Sequence, residues 1–157
     1  MRINLLCIGK TDDKEIQNLI KYYQNRLPKH WNFEIVEIPD VKNAKNLSPD
    51  LLKKEEGKLF FSQTENSDYI VLLDEKGKQF TSREFAAKIE NWMNSSVKKV
   101  SFFIGGAYGF SDEIYERANE KMSLSKMTFT HQMIRLFFVE QIYRADQILQ
   151  GKPYHND

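Results

Sequence analysis

The sequence predicts an α/β protein with a mostly parallel sheet and helices on both faces. Three observations predict it. Short apolar, strand-like runs alternate along the chain with segments of helical period. Two of those runs, 69–73 and 100–104, are apolar almost without interruption, the pattern of central strands buried on both faces. No repeat, low-complexity stretch or Pro/Gly/Ser linker divides the 157 residues. They suffice for a single domain, 1–157, that buries about two-thirds of its unfolded surface.

The elements follow in order. Residues 3–8 form an apolar first strand that contains Cys7, read as a small buried hydrophobe. Residues 13–27 carry Ile16, Leu19, Ile20 and Tyr23 on one stripe and form a helix that Pro28 stops. Residues 33–38 alternate around Glu34 and Glu37, as a strand near the sheet edge would. Ser48-Pro49 opens a helix that runs to about residue 63. Residues 69–73 are a short strand, and the polar run 74–78 is its turn. Thr81 to Glu84 fit a capping box for a helix through Trp92. After the strand 99–104, Ser111-Asp112-Glu113 caps a helix to about residue 119. A short strand over 122–124 and a final helix over 131–150, ended by Gly151 and Pro153, complete the chain.

Open parallel sheets bind ligands outside the carboxyl ends of their strands. Leu73-Asp74 and Ile104-Gly105 therefore define the expected crevice. The strand 99–104 empties into Gly105, Gly106 and Gly109, a spacing that is neither the dinucleotide fingerprint nor a phosphate-binding loop. In isolation those glycines read equally as a tight turn. The loop 124–129 offers backbone N–H and C=O groups without a ladder to satisfy them, suited to the edge of a buried adenine.

The final helix carries Met133, Ile134, Leu136, Phe137, Phe138, Val139, Ile142 and Tyr143, which leave it almost no polar side. Such a helix is buried on both sides, either as an enclosed core helix or, in a chain this small, against a second subunit. His131 and Arg135 share one face of it, with Glu140 further along. His131 reads as a capping or structural imidazole or as a functional one, and Arg135 as a partner of Glu140 or of a loop carbonyl. Tyr154 and His155 follow the helix stop and could supply stacking and a proton acceptor.

Composition excludes more than it assigns. The hydrophobic share of 41% and charged share of 29% are those of a soluble globular protein. One cysteine excludes an internal disulfide and a cysteine-cluster metal site. The first apolar run is too short for a signal peptide or a membrane span, so a cytoplasmic protein is expected. The net charge of +1 means that any RNA footprint must be local. There is no nucleophile elbow and no metal-ligand spacing. A group transfer that relies on positioning fits better than hydrolysis.

Four blocks make the sequence recognisable: Ile104-Gly105-Gly106-x-x-Gly109; Leu124-Ser125-Lys126-Met127-Thr128-Phe129-x-His131-Gln132-Met133-x-Arg135; Glu140-Gln141-x-Tyr143-Arg144-Ala145; and the ending Tyr154-His155. Together with Leu5 to Lys10 and Glu37 to Asp40, they resemble the bacterial ribosomal RNA large subunit methyltransferase H family along the whole chain.

The resemblance implies the SPOUT superfamily, a homodimer, and a C-terminal part threaded into a trefoil knot. It implies methyl transfer from S-adenosylmethionine to N3 of a pseudouridine in helix 69 of 23S ribosomal RNA, within the assembled 70S ribosome, without a metal or a membrane. The cofactor would be held by Leu73, Gly105, Leu124, Ser125, Lys126, Met127, Thr128 and Phe129. His155 is the first candidate for the base that takes the N3 proton and Glu140 the second. Tyr154 would position the flipped nucleobase, and Arg135 would bind phosphate or a uracil oxygen. Two positions depart from the family pattern: Asn156 stands where a basic residue often follows the Tyr-His pair, and Thr130 where proline is common. The rivals are a SPOUT methyltransferase of another nucleotide, a non-enzymatic ribosome-binding protein, and an NAD-type Rossmann enzyme, the last weakened by the glycine spacing.

Overall fold

The computed structural model describes residues 1–156. Its elements are β1 (Arg2–Ile8), α1 (Lys14–Gln24), β2 (Phe33–Ile38), α2 (Pro49–Ser62), β3 (Tyr69–Gln79), α3 (Ser82–Met93), β4 (Lys99–Ile104), α4 (Asp112–Arg117), β5 (Glu120–Ser123) and α5 (His131–Leu149). The sheet order is β2-β1-β4-β3-β5 and every neighbouring pair is parallel.

The strand sequences explain this order. Leu5 and Leu6 of β1, and Phe102 and Phe103 of β4, point to opposite faces and all are fully buried. One face carries α1, α3 and α5 over a core of Ile3, Leu5, Phe102, Phe85 and Phe138. The other carries α2 and α4 over Leu6, Leu72, Phe103 and Phe60. Phe60 stacks on Phe103 with centroids 4.6 Å apart, and Phe102 meets Phe138 at the same separation. β2 is an edge strand, as its alternation indicated. β4 is the middle strand with β3 beside it, and β1 is equally interior, which its sequence had not singled out.

The helix starts follow local chemistry. Asp13, Ser48, Thr81, Ser111 and Thr130 each cap the helix that follows by accepting a backbone N–H. At Thr81 the reciprocal capping box with Glu84 is complete. Thr130 accepts from the Met133 N–H at 3.2 Å.

Two expectations need correction. α1 ends at Gln24, and turns carry the chain from there to Pro28. The strand expected to stop at Leu73 continues to Gln79. Its pairing to β5 skips from Leu73 to Lys78, both opposite Met122, so residues 74–77 bulge outward before the strand resumes. The polar run has turn chemistry, with Asp74 accepting from the Lys76 N–H at 2.9 Å. A parallel partner strand nevertheless recaptures the chain. Gly77 allows it, because a Cβ there would lie 2.5 Å from the Met122 nitrogen.

Candidate functional site

The carboxyl ends of β3, β4 and β5 open into one cavity of about 510 Å³, within the range of small-molecule sites. Leu73 and Asp74 come from β3, residues 105–109 from the glycine loop, and His131 and Ile134 from the first turns of α5. The loop after β5 supplies Leu124, Ser125, Met127, Thr128 and Phe129. Of the eight residues the resemblance assigned to cofactor binding, only Lys126 does not line this cavity.

Both loops are shaped by their own atoms. Gly109 has φ +80°, and its N–H donates to the Gly106 carbonyl at 3.1 Å. A Cβ on Gly105 would press within 3.2 Å of the Gly109 backbone, so a larger residue there would push the turn open by a few tenths of an ångström. In the second loop, the Ser123 hydroxyl donates to the Ser125 carbonyl at 2.7 Å, and the Ser125 hydroxyl accepts from the Met127 N–H at 3.0 Å. Those side-chain bonds fold the loop without a ladder.

The chemistry on the walls is uneven. Tyr115 donates to Asp74 at 2.5 Å; burial and that carboxylate push its phenol well above the usual range, so it stays a donor. His131 is exposed at the cavity, and desolvation on its protein-facing side together with the Arg135 charge lowers its pKa from the ordinary histidine value. Its functional reading gains from its place on the cavity wall. Tyr115 was legible in no motif, because α4 is brought here only by the fold.

Arg135 is the chief correction. It was expected to face RNA, but it is 2% exposed. Nη1 donates to the Thr11 hydroxyl at 2.9 Å and Nη2 to the Ile8 carbonyl at 2.7 Å, while Nε has no hydrogen-bond partner. It fastens α5 to the end of β1, because a guanidinium inside the sheet-facing side of a helix must satisfy its donors there.

Glu140, Tyr154 and His155 do come together, in a cluster beside the cavity. Oε1 of Glu140 accepts from Arg144 Nε at 3.0 Å and Nη2 at 2.5 Å, and from the Tyr154 hydroxyl at 3.0 Å. Oε2 accepts from Gln141 at 2.8 Å, and the Gln141 carbonyl oxygen accepts from Ser82. Four donors on two oxygens make Glu140 a holder of other groups, not an open proton acceptor. Glu140 and Gln141 line a second cavity of about 280 Å³, which shares Met122, Leu124 and Phe129 with the first. Tyr154 and His155 line neither cavity within the protomer.

Among the described residues no cluster of His, Cys, Asp or Glu could hold a metal ion, and no helix is long and apolar enough to cross a membrane. The fold and the cavity define an α/β protein with a cavity of small-molecule size at its strand ends, beside a loop preceding the last helix.

The comparisons narrow this class. A family model described as predicted SPOUT methyltransferase matches residues 1–155. The chain is 55% identical over 156 residues to the ribosomal RNA large subunit methyltransferase H of Christiangramia forsetii, covering 99% of each chain. It is 52% identical over 157 residues to the protein of that name from Parabacteroides distasonis, covering both chains fully. A solved structure, a probable methylase family protein from Haemophilus influenzae, shares the fold with a TM-score of 0.59 at 10% identity, over 95% of this chain and 66% of that one. The chain belongs to the SPOUT methyltransferase family.

Proposed function

We propose that this protein transfers the methyl group of S-adenosylmethionine to N3 of a pseudouridine in helix 69 of 23S ribosomal RNA in the assembled 70S ribosome. One observation carries the reading. In a chain belonging to a methyltransferase family, seven of the eight motif residues converge on one cavity at the strand ends.

The residues present fit that cofactor. The glycine loop permits close approach on one side, and the ladder-free loop residues 124, 125 and 127–129 line the cavity on the other. The carboxylates of Asp74 and Glu75 line the same space and suit a ligand with cationic groups. When bound, the cofactor supplies a methyl group activated by a sulfonium. Leu73, Gly105, Leu124, Ser125, Met127, Thr128 and Phe129 hold and orient it.

Methylation at N3 forms an N–CH₃ bond as the sulfur–methyl bond breaks, and the N3 proton must go to a base. His155 is that base. A guanidinium can only donate, so in the contact of Arg144 Nη1 with Nδ1 at 3.2 Å it is Nδ1 that accepts. His155 takes the N3 proton at Nδ1 once Arg144 turns to the RNA. Tyr154 positions the flipped base.

The tail reaches the chemistry from a second copy. Phe137 is 36% exposed and Phe129 41%, so one protomer does not enclose α5 by itself. A homodimer through this face covers them and brings one subunit's Tyr154 and His155 to the other's cavity. The trefoil threading of the C-terminal part, a single domain over 1–157 and a cytoplasmic location belong to the same reading.

The test is mass spectrometry of ribosomal RNA after incubating ribosomes from a deletion strain with the protein and S-adenosylmethionine. One added methyl on the N3 of the helix 69 pseudouridine is expected. A methyl on another nucleotide, or ribosome binding without methylation, would overturn the assignment.

A further inference from the structure

A carboxylate packs against the glycine loop without lining the cavity. Glu56, in the second turn of α2, is only 7% exposed, and its carboxyl group packs against Gly106, whose backbone amide works to lower the Glu56 pKa. The fit is close enough that a Cβ on Gly106 would fall inside contact distance of both carboxylate oxygens. This explains glycine at 106, where φ is not positive. The same loop lines the cavity.

A second carboxylate stands beside the first. Asp40, just after β2, raises the Glu56 pKa and packs against Gly9, where a Cβ would lie 3.1 Å from Oδ1. The two acids thus back the loops that follow β1 and β4, which are neighbours in the sheet. From α4, Ser111 and Ile114 pack on the adjoining Gly57 and bring no charge. Asp40 is the charged side chain that bears on Glu56 from another element.

We infer that Glu56 is a positioning residue for the cofactor loop, holding the Gly106 amide so that residues 105–109 keep the shape that receives S-adenosylmethionine. The inference rests on the proposed cofactor. The energetics support it. Burial is the largest cause of the raised Glu56 pKa, ahead of Asp40. A carboxyl group whose folded pKa is raised contributes most stability below its unfolded pKa and loses it as pH rises through the folded one. At neutral pH the ionised Glu56 therefore costs the fold stability. A neutral acceptor of the same shape would avoid that cost but hold the loop less firmly, because the charged form is the stronger hydrogen-bond acceptor.

The test uses Glu56→Gln and Asp40→Asn in the full-length protein, read by thermal melting, hydrogen exchange at the Gly106 amide, and calorimetric titration with S-adenosylmethionine across pH. For Glu56→Gln we expect a melting temperature equal to or above wild type at pH 7, a faster-exchanging Gly106 amide, and cofactor affinity lower by roughly tenfold. Wild-type affinity should fall on acidification as Glu56 gains a proton. That fall should vanish in Glu56→Gln and move to lower pH in Asp40→Asn. Unchanged Gly106 exchange in Glu56→Gln would overturn the inference, and so would melting temperature and affinity falling together. Because exchange is read without cofactor, a wild type that binds no S-adenosylmethionine would sink the cofactor assignment and leave exchange to decide Glu56's hold on the loop.

Discussion

Arg144 joins Glu140 to His155: its Nε and Nη2 donate to one carboxylate oxygen at 3.0 and 2.5 Å, and its Nη1 to the imidazole Nδ1 at 3.2 Å. The fork reads two acceptors at once, which a lysine ammonium on a flexible stem does not reproduce. Arg144→Ala should therefore lower methylation of ribosomes about 10- to 100-fold with cofactor affinity unchanged. Arg144→Lys should not rescue it. Single-turnover methylation beside cofactor titration checks this, and a parallel loss of cofactor binding would refute it. His155→Ala should abolish methylation; full activity in that variant would remove His155 as the base.

Arg135 should act on stability and not on RNA. Replacing it with Leu strands the Ile8 carbonyl and removes two hydrogen bonds made by a charged group. A cost of about 3 kcal/mol is expected, measured as a lower midpoint in urea. The salt dependence of ribosome binding should keep its slope, since the side chain meets no phosphate. A slope reduced by about one would mean that Arg135 reaches RNA after all.

Phe137 tests the dimer. It packs edge-on to Phe129 at 4.9 Å and is 36% exposed, so Phe137→Glu leaves the protomer core intact. Sedimentation should show a monomer, and methylation should be lost with it, because truncating or charging a central aromatic anchor costs about 2 kcal/mol or more. A monomeric variant with full activity would rule out a site shared between subunits.

His131 should leave a signature in the acid stability curve. Desolvation on its protein-facing side and the Arg135 charge lower its folded pKa, so the unfolded chain binds a proton that the folded chain resists. Stability from this group is complete above the unfolded value, about 6.5, and falls as pH drops below it. Urea titrations from pH 7.5 down to 5 should show that loss in wild type and a flatter curve in His131→Gln. Equal slopes would show that the imidazole titrates freely.

Much of this was legible beforehand because the relevant signals are local. Strand runs, caps and helix stops depend on a few neighbouring residues, so β2 and β4 fall on their expected bounds. The glycine loop on the cavity wall was legible for a related reason: a strand that empties into glycines states a backbone requirement. The run after Leu73 was misread because turn chemistry is local but its outcome was not; pairing with β5, some forty residues on, resumed the strand.

By itself the sequence determined the α/β order, the crevice at Leu73 and Gly105, and the family, since each is written in periodicity or in contiguous motifs. Only the tertiary structure decided where the long polar side chains go. Arg135 and Arg144 sit nine residues apart on one helix, yet the first is sealed against β1 and the second holds the tail. Nor could spacing place Glu56 against Gly106, fifty residues away. A side chain's reach covers several ångströms in any direction, and what it meets depends on which element the fold has packed beside it.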